Sequence, residues 1–244
     1  MREATARAAT LTDGFEKTAL ADMLNDYSYA GVDTCALDGL CGTACPVGIN
    51  TGDFIKTLRS ESVKNEKPAL WLADNFALAE KSIGFGVTLG HIAEKVIGAN
   101  GINSIIQTTE KISGATLPKW NQHIPTHTKS LRALRGLGGS KDFIYFPSCI
   151  SRQLGKPSDS YLSLAETFTT ISQRANVNLF IPENVTGHCC GMPFASKGYK
   201  PAYQATLHKT LNQMWTWSEQ GKNPIIIDTT SCTHTLRTCS DDLS

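Results

Sequence analysis

The eight cysteines of this 244-residue chain are grouped rather than scattered. Cys35, Cys41 and Cys45 share one short stretch, Cys149 stands alone, Cys189 and Cys190 are adjacent, and Cys232 and Cys239 lie near the end. Eight cysteines are too few for a disulfide scaffold at this length, and grouped thiols favour metal binding under reducing conditions. A hydrophobic content of 41% with 18% charged residues provides for a substantial core and one or two domains. The formal net charge of +1 lacks the electrostatic pull of a dedicated nucleic-acid binder, and no such partner is expected. The N-terminal residues carry no apolar leader. The most apolar long stretch, residues 83 to 106, is interrupted by His91, Glu94 and Lys95, so a cytoplasmic chain without a transmembrane segment is expected.

The first thiol group reads Cys35-Ala-Leu-Asp38-Gly-Leu-Cys41-Gly-Thr-Ala-Cys45-Pro46. It resembles the C-x2-C-x2-C-x3-C-P ligand run of bacterial ferredoxins. Cys35, Cys41 and Cys45 stand at the first, third and fourth ligand places, Asp38 at the second, and Pro46 follows. Asp38 is either a carboxylate ligand or a polar turn residue beside Gly39. A structural zinc site is a poorer match, because C-x5-C-x3-C lacks the paired C-x2-C knuckles of such sites.

Around this run the first half reads as helix. Residues 12 to 30 follow a Thr12-Asp13 cap, Thr51 is a cap for Phe54, Ile55 and Leu58, and Pro68 starts a segment through Leu78. Two more helical stretches run from Thr88 to Ile97 and from Ile102 to Ile112. From 115 to 141, Pro118, Pro125, Gly136, Gly138 and Gly139 break any period, and Lys119, Lys129, Arg132, Arg135 and Lys141 make the segment basic, as in a linker. Short apolar runs at Phe143–Phe146, Val177–Ile181 and Ile225–Ile227 then alternate with helical stretches 158–174 and 197–219. That alternation predicts an α/β, Rossmann-like βαβ sheet behind a helical ferredoxin-like part, with boundaries at 1–114, 115–141 and 142–244.

Cys149, Cys189, Cys190 and Cys232 each follow an expected strand or loop, and a parallel sheet gathers its C-terminal loops into one crevice. Gly191 suits a sharp turn after the doublet. His188 and His234, each close to a cysteine, are either ligand-tuning groups or partners of local backbone. The order Cys, then Cys-Cys-Gly, then Cys-x-x-Cys is that of the cysteine-rich CCG domain of heterodisulfide reductase subunits and glycolate- and D-lactate-oxidising enzymes, which this half resembles. It departs from that pattern at Thr235, where the last cysteine would stand, and Cys239 lies beyond it.

With the blocks 33–53 and 187–194 together, the chain resembles the C-terminal iron–sulfur region of FAD-linked D-lactate (cytochrome-type) and D-2-hydroxyacid dehydrogenases, lacking their flavin domain, first ferredoxin run and second cysteine-rich repeat. The resemblance implies a fragment or split-gene product that is inactive alone. Its cofactor would be an iron–sulfur cluster of the 4Fe–4S type on Cys35, Cys41, Cys45, Cys149, Cys189, Cys190 and Cys232. FAD would sit on an absent domain or partner, and a quinone or cytochrome would accept electrons, which allows a peripheral position at the inner membrane. Two rivals are an iron–sulfur subunit of a heterodisulfide-reductase-like or glycolate-oxidase-like complex and a metal-free structural remnant.

Overall fold

The computed structural model describes residues 14–37, 39–114, 116–128, 131, 142–156, 158 and 160–239. The expected cap at Thr12-Asp13, Asp38 and the Gly136–Gly139 part of the expected linker lie outside these residues. The chain divides into two compact units, residues 1–69 with 193–203, and residues 70–192 with 204–244.

In the first unit, α1 (Gly14–Tyr27) passes directly into a π-helical turn, Ser28–Asp33, which the sequence did not lead us to expect. Leu37 (φ 57°) and Gly39 (φ 73°) then reverse the chain into the short α2 (Leu40–Ala44). Cys45 ends α2 in an extended conformation, as the ring of Pro46 requires of the residue before it. In α3 (Thr51–Ser62) the cap is Asn50, whose side chain accepts from Gly52 N–H at 3.0 Å; the expected cap, Thr51, is instead the first helical residue.

The second unit is built on a three-stranded parallel sheet in the order β2–β1–β3, comprising β1 (Phe143–Phe146), β2 (Leu179–Phe180) and β3 (Ile225–Ile227). The expected strands at 143–146 and 225–227 form as read, and β2 keeps only two residues of the expected five. Helix layers explain why the central strand is apolar on both faces. Tyr145 meets Phe168 of α7 (Leu164–Arg174) at 4.8 Å, and Phe146, on the opposite face, meets Trp217 of α9 (Lys200–Trp217) at 5.8 Å. Ile144, Tyr145 and Phe146 are almost wholly buried, each side chain contributing about 1.5–3 kcal/mol to the core. Ser163 and Glu166 close a reciprocal capping box at the start of α7.

Ahead of the sheet, α4 (Lys67–Asp74) ends at Asn75, and α5 (Phe76–Ser113) follows. The sequence suggests a helix running from Pro68 through Leu78 and two later pieces. Instead the chain breaks at Asn75, and the later pieces join across one non-helical residue, Gly98 (φ 70°), which adopts that conformation without a Cβ penalty. One further short helix, α6 (Cys149–Gln153), follows β1; α8 (Met192–Ala195) follows the cysteine doublet, and α10 (Thr230–Arg237) follows β3. Among the described residues no helix is long and apolar enough to cross a membrane.

Candidate metal centre

Each loop that leaves the C-terminal end of a strand in the second unit carries cysteine. Cys149 is the first residue of α6, one residue after its cap Ser148, whose hydroxyl accepts from Ser151 N–H. Cys189 and Cys190 end the loop that follows β2, and Gly191 (φ 83°) turns the chain sharply behind them. Cys232 lies in the first turn of α10, after β3. Because the strands are parallel, these loops open on one edge, and the thiols meet there. Cys149 Sγ is 3.9 Å from Cys189 Sγ, and Cys190 Sγ is 3.2 Å from Cys232 Sγ. Cys189, Cys190 and Cys232 are buried together, with Phe76, Met192, Ile227 and Leu236 packed around them.

Several buried or half-buried polar groups fix these loops. Asp228, next after β3, accepts from Ser148 N–H and from the Tyr145 hydroxyl, both at 2.9 Å, so the ends of β1 and β3 are tied together. Burial, then the Asp228 carboxylate, pushes the Tyr145 hydroxyl far above its usual range. Thr210 of α9, fully buried, accepts from Cys189 N–H at 3.0 Å and donates to Cys189 O at 2.7 Å. A buried ion pair, Glu80 of α5 with Arg152 of α6, reaches both remaining loops. Arg152 donates to Glu80, to Pro147 O and to His188 O, and Glu80 accepts from Gly187 N–H. The only signal for Glu80 in the sequence is an acid on the helix face that Gly84 also occupies, one turn further on.

Electrostatically the four thiols divide into two kinds. Cys190 is driven toward thiolate by its hydrogen-bonding contacts with the Cys189 and Cys232 thiols, and Cys149 by the bond from Cys189 with help from the Arg152 charge. Cys189 and Cys232 are held protonated, Cys189 by its thiol contacts with Cys149 and Cys190, and Cys232 by its contact with Cys190, with burial adding to both. His188 stays neutral, its pKa lowered to about 4 by burial, then by Lys209 and Arg152. Its Nδ1 is buried and unpaired, and its ring stands edge-on to Trp217 at 5.3 Å. Thr235, where the resemblance leads one to expect a cysteine, is buried on the same helix as Cys232; its hydroxyl donates to Ser231 O at 2.9 Å and lies 3.6 Å from Met192 Sδ. Cys239 is buried, with its thiol directed at Leu236 O.

Residues 143–237 match the family model of the cysteine-rich, or CCG, domain. That family occurs in iron–sulfur modules of oxidoreductases, which makes an iron–sulfur type of electron-transfer module the coarse reading of this half. The match takes in all three strands and the four converging thiols, and the Cys35–Cys45 run lies outside it. No curated protein and no solved structure matches the chain.

The run in the first unit is arranged differently. Cys41 is exposed, and Cys35 and Cys45 are partly so. The Cys41 sulfur accepts from the Thr51 hydroxyl at 3.1 Å and lies 3.6 Å from Asn50 Oδ1. Those bonds, foremost from the Thr51 hydroxyl and backbone N–H at the start of α3, lower its pKa. Backbone N–H groups of Ile49 and Val47 do the same for Cys45. Cys35 is placed through its carbonyl, which accepts from Arg59 at 2.9 Å; Arg59 also donates to Val32 O, Asp33 O and Ser196 O.

Among the described residues, no three His, Cys, Asp or Glu side chains surround one point as a single metal ion would require. The four thiols instead follow one another in a chain, Cys149 to Cys189 to Cys190 to Cys232. That departs from a closed structural zinc site, where four donors share one ion. In an iron–sulfur cluster each thiolate takes its own iron, so no single ion has to be shared by all four. An all-sulfur, buried donor set containing groups already driven toward thiolate has the chemistry such a cluster needs.

Proposed function

We propose that the chain is an iron–sulfur electron-transfer module working with a flavin-bearing partner that oxidises a D-2-hydroxyacid such as D-lactate. Cys149, Cys189, Cys190 and Cys232 would hold one cluster, and Cys35, Cys41 and Cys45 belong to a second ligand set whose fourth member is supplied by Asp38 or by another chain. When bound, such clusters supply one-electron transfer, with the protein providing ligands, burial and spacing. The single observation that supports this most is the meeting of four thiols from three separate strand-end loops. A partner is supported by the exposed apolar stripe of Phe85, Leu89, Ile92 and Val96 on α5, spaced i, i+4, i+7 and i+11 along one helix face. FAD belongs on that partner, and a quinone or cytochrome would take the electrons onward.

The test is anaerobic expression of the full chain followed by iron and acid-labile sulfide analysis. Bound iron and sulfide that fall sharply in Cys190→Ser and Cys232→Ser are expected. Reduction of the loaded chain by D-lactate is expected only when a flavin-containing D-2-hydroxyacid dehydrogenase is added. A folded protein that takes up neither iron nor sulfide overturns the reading.

A further inference from the structure

The buried ion pair beside the thiol cluster has no place in the ligand set, yet the side-chain hydrogen bonds it makes beyond itself all go to the loops that carry that set. The Glu80 side chain is 3% exposed and that of Arg152 4%. Burying two charges is costly, and replacing such a pair with apolar groups is often neutral or stabilising, so a buried pair is weak evidence for stability alone. Here the pair is spent on backbone. Arg152 Nη1 donates to Pro147 O at 2.6 Å, two residues before Cys149. Its Nη2 donates to His188 O at 2.6 Å, one residue before Cys189. Glu80 accepts from Gly187 N–H at 2.6 Å, and Gly187 (φ 87°) has no room for a side chain because a Cβ would stand 2.9 Å from the Ala77 Cβ. One guanidinium therefore bridges the Cys149 loop and the Cys189–Cys190 loop, and one carboxylate anchors both to α5.

We propose that Glu80 and Arg152 are positioning residues for the thiol cluster, an ion pair that sets the separation of the Cys149 loop from the Cys189–Cys190 loop and fixes a charge of each sign beside it. The positioning half of this proposal concerns the metal-free chain; the electrostatic half rests on the iron–sulfur reading above. A positive charge close to a redox centre favours its more negative, reduced state, and a carboxylate disfavours it. Fixed charges of opposite sign therefore predict opposite shifts when each is removed, which a purely structural pair would not produce.

Two measurements test it. In the metal-free chain, the double variant Glu80→Met/Arg152→Met leaves no unpaired buried charge, and far-UV circular dichroism establishes that it folds. Iodoacetamide should then alkylate Cys149, Cys189 and Cys190 at least tenfold faster than in the parent chain, while Cys41, in the other unit, serves as the unchanged internal control. Equal alkylation rates in a folded double variant overturn the positioning role, whatever the chain binds. In the iron-loaded chain, Glu80→Gln should move the midpoint potential upward and Arg152→Gln downward. Shifts of the same sign, or none, overturn the electrostatic role. A parent chain that takes up no iron overturns the proposed function instead and leaves the alkylation result standing.

Discussion

Cys41 and Cys45 sit in or near solvent and draw their hydrogen bonds from residues within about ten positions in sequence, whereas Cys149, Cys189, Cys190 and Cys232 are drawn together from loops far apart in sequence and depend chiefly on one another. Each set has its arginine. Arg59, half-buried, collects the carbonyls of Val32, Asp33 and Cys35 at the end of the π-helical turn, and Arg152, fully buried, collects those of Pro147 and His188. The difference lies in the second charge. Arg59 meets carbonyl oxygens, and Arg152 also meets a buried carboxylate. A local site can lower the pKa of its thiols through nearby N–H and O–H donors, because water screens and solvates what those donors leave over. A site built from distant loops has to supply from within the protein both the counter-charges and the ties that water would otherwise replace.

The sharpest way to break this contrast is to truncate the two arginines. Arg152→Met leaves Glu80 buried without its partner and should cost about 3–5 kcal/mol. Arg59→Met leaves only partly solvated carbonyls short of a donor and should cost about 1–2 kcal/mol. Urea unfolding of the metal-free chain, followed by tryptophan fluorescence and circular dichroism, measures both. Equal costs would mean that the buried carboxylate does not distinguish the two sites.

Acid sharpens the comparison next. His188 has a folded pKa of about 4, below the usual value of 6.5, because its ring is buried among cations. The unfolded chain therefore binds the extra proton first, so the stabilisation is complete above about pH 6.5 and is lost as the pH falls toward 4. In the metal-free chain this should remove on the order of 2–3 kcal/mol from the second unit. Chemical denaturation at pH 7 and pH 4.5 reads it, and in His188→Asn that part of the pH dependence should vanish. A parent chain as stable at pH 4.5 as at 7 would show the ring to be less enclosed than described.

The smallest effect belongs to the exposed site. Thr51→Val removes the hydroxyl that leads the lowering of the Cys41 pKa, and should leave stability almost unchanged. Alkylation of Cys41 near pH 7 should slow severalfold as its thiol returns toward ordinary acidity, with the buried thiols unaffected. An unaltered rate would place the cause in the backbone of α3 rather than in the hydroxyl.

Much of the sheet was legible because its strands are short apolar runs flanked by helical periods. Phe143–Phe146 and Ile225–Ile227 read as strands because both are short apolar runs; helices cover both faces of β1, so Ile144, Tyr145 and Phe146 are buried without alternation, whereas β3 at the sheet edge is half-buried. The spacing of Cys149, Cys189, Cys190 and Cys232 pointed to one sheet edge because parallel strands leave their C-terminal loops together. Other features were not legible. A cap at Thr51 was a reasonable expectation, but the choice between two adjacent capping residues depends on which side chain reaches Gly52 N–H, and Asn50 does. The join of the later helical segments across Gly98 could not be read either, since glycine marks a break or a tolerated interruption equally well.

From the sequence alone come the thiol inventory, the order of strands and helices, and the chemistry that soft donors imply, because these depend on residue type and on local period. The tertiary structure decides which thiols touch, which of them are driven toward thiolate, and that Glu80 reaches a loop 107 positions away in the chain. Those outcomes follow from distances between segments and from the exclusion of water, and neither quantity is written in the spacing of residues along one strand of polypeptide.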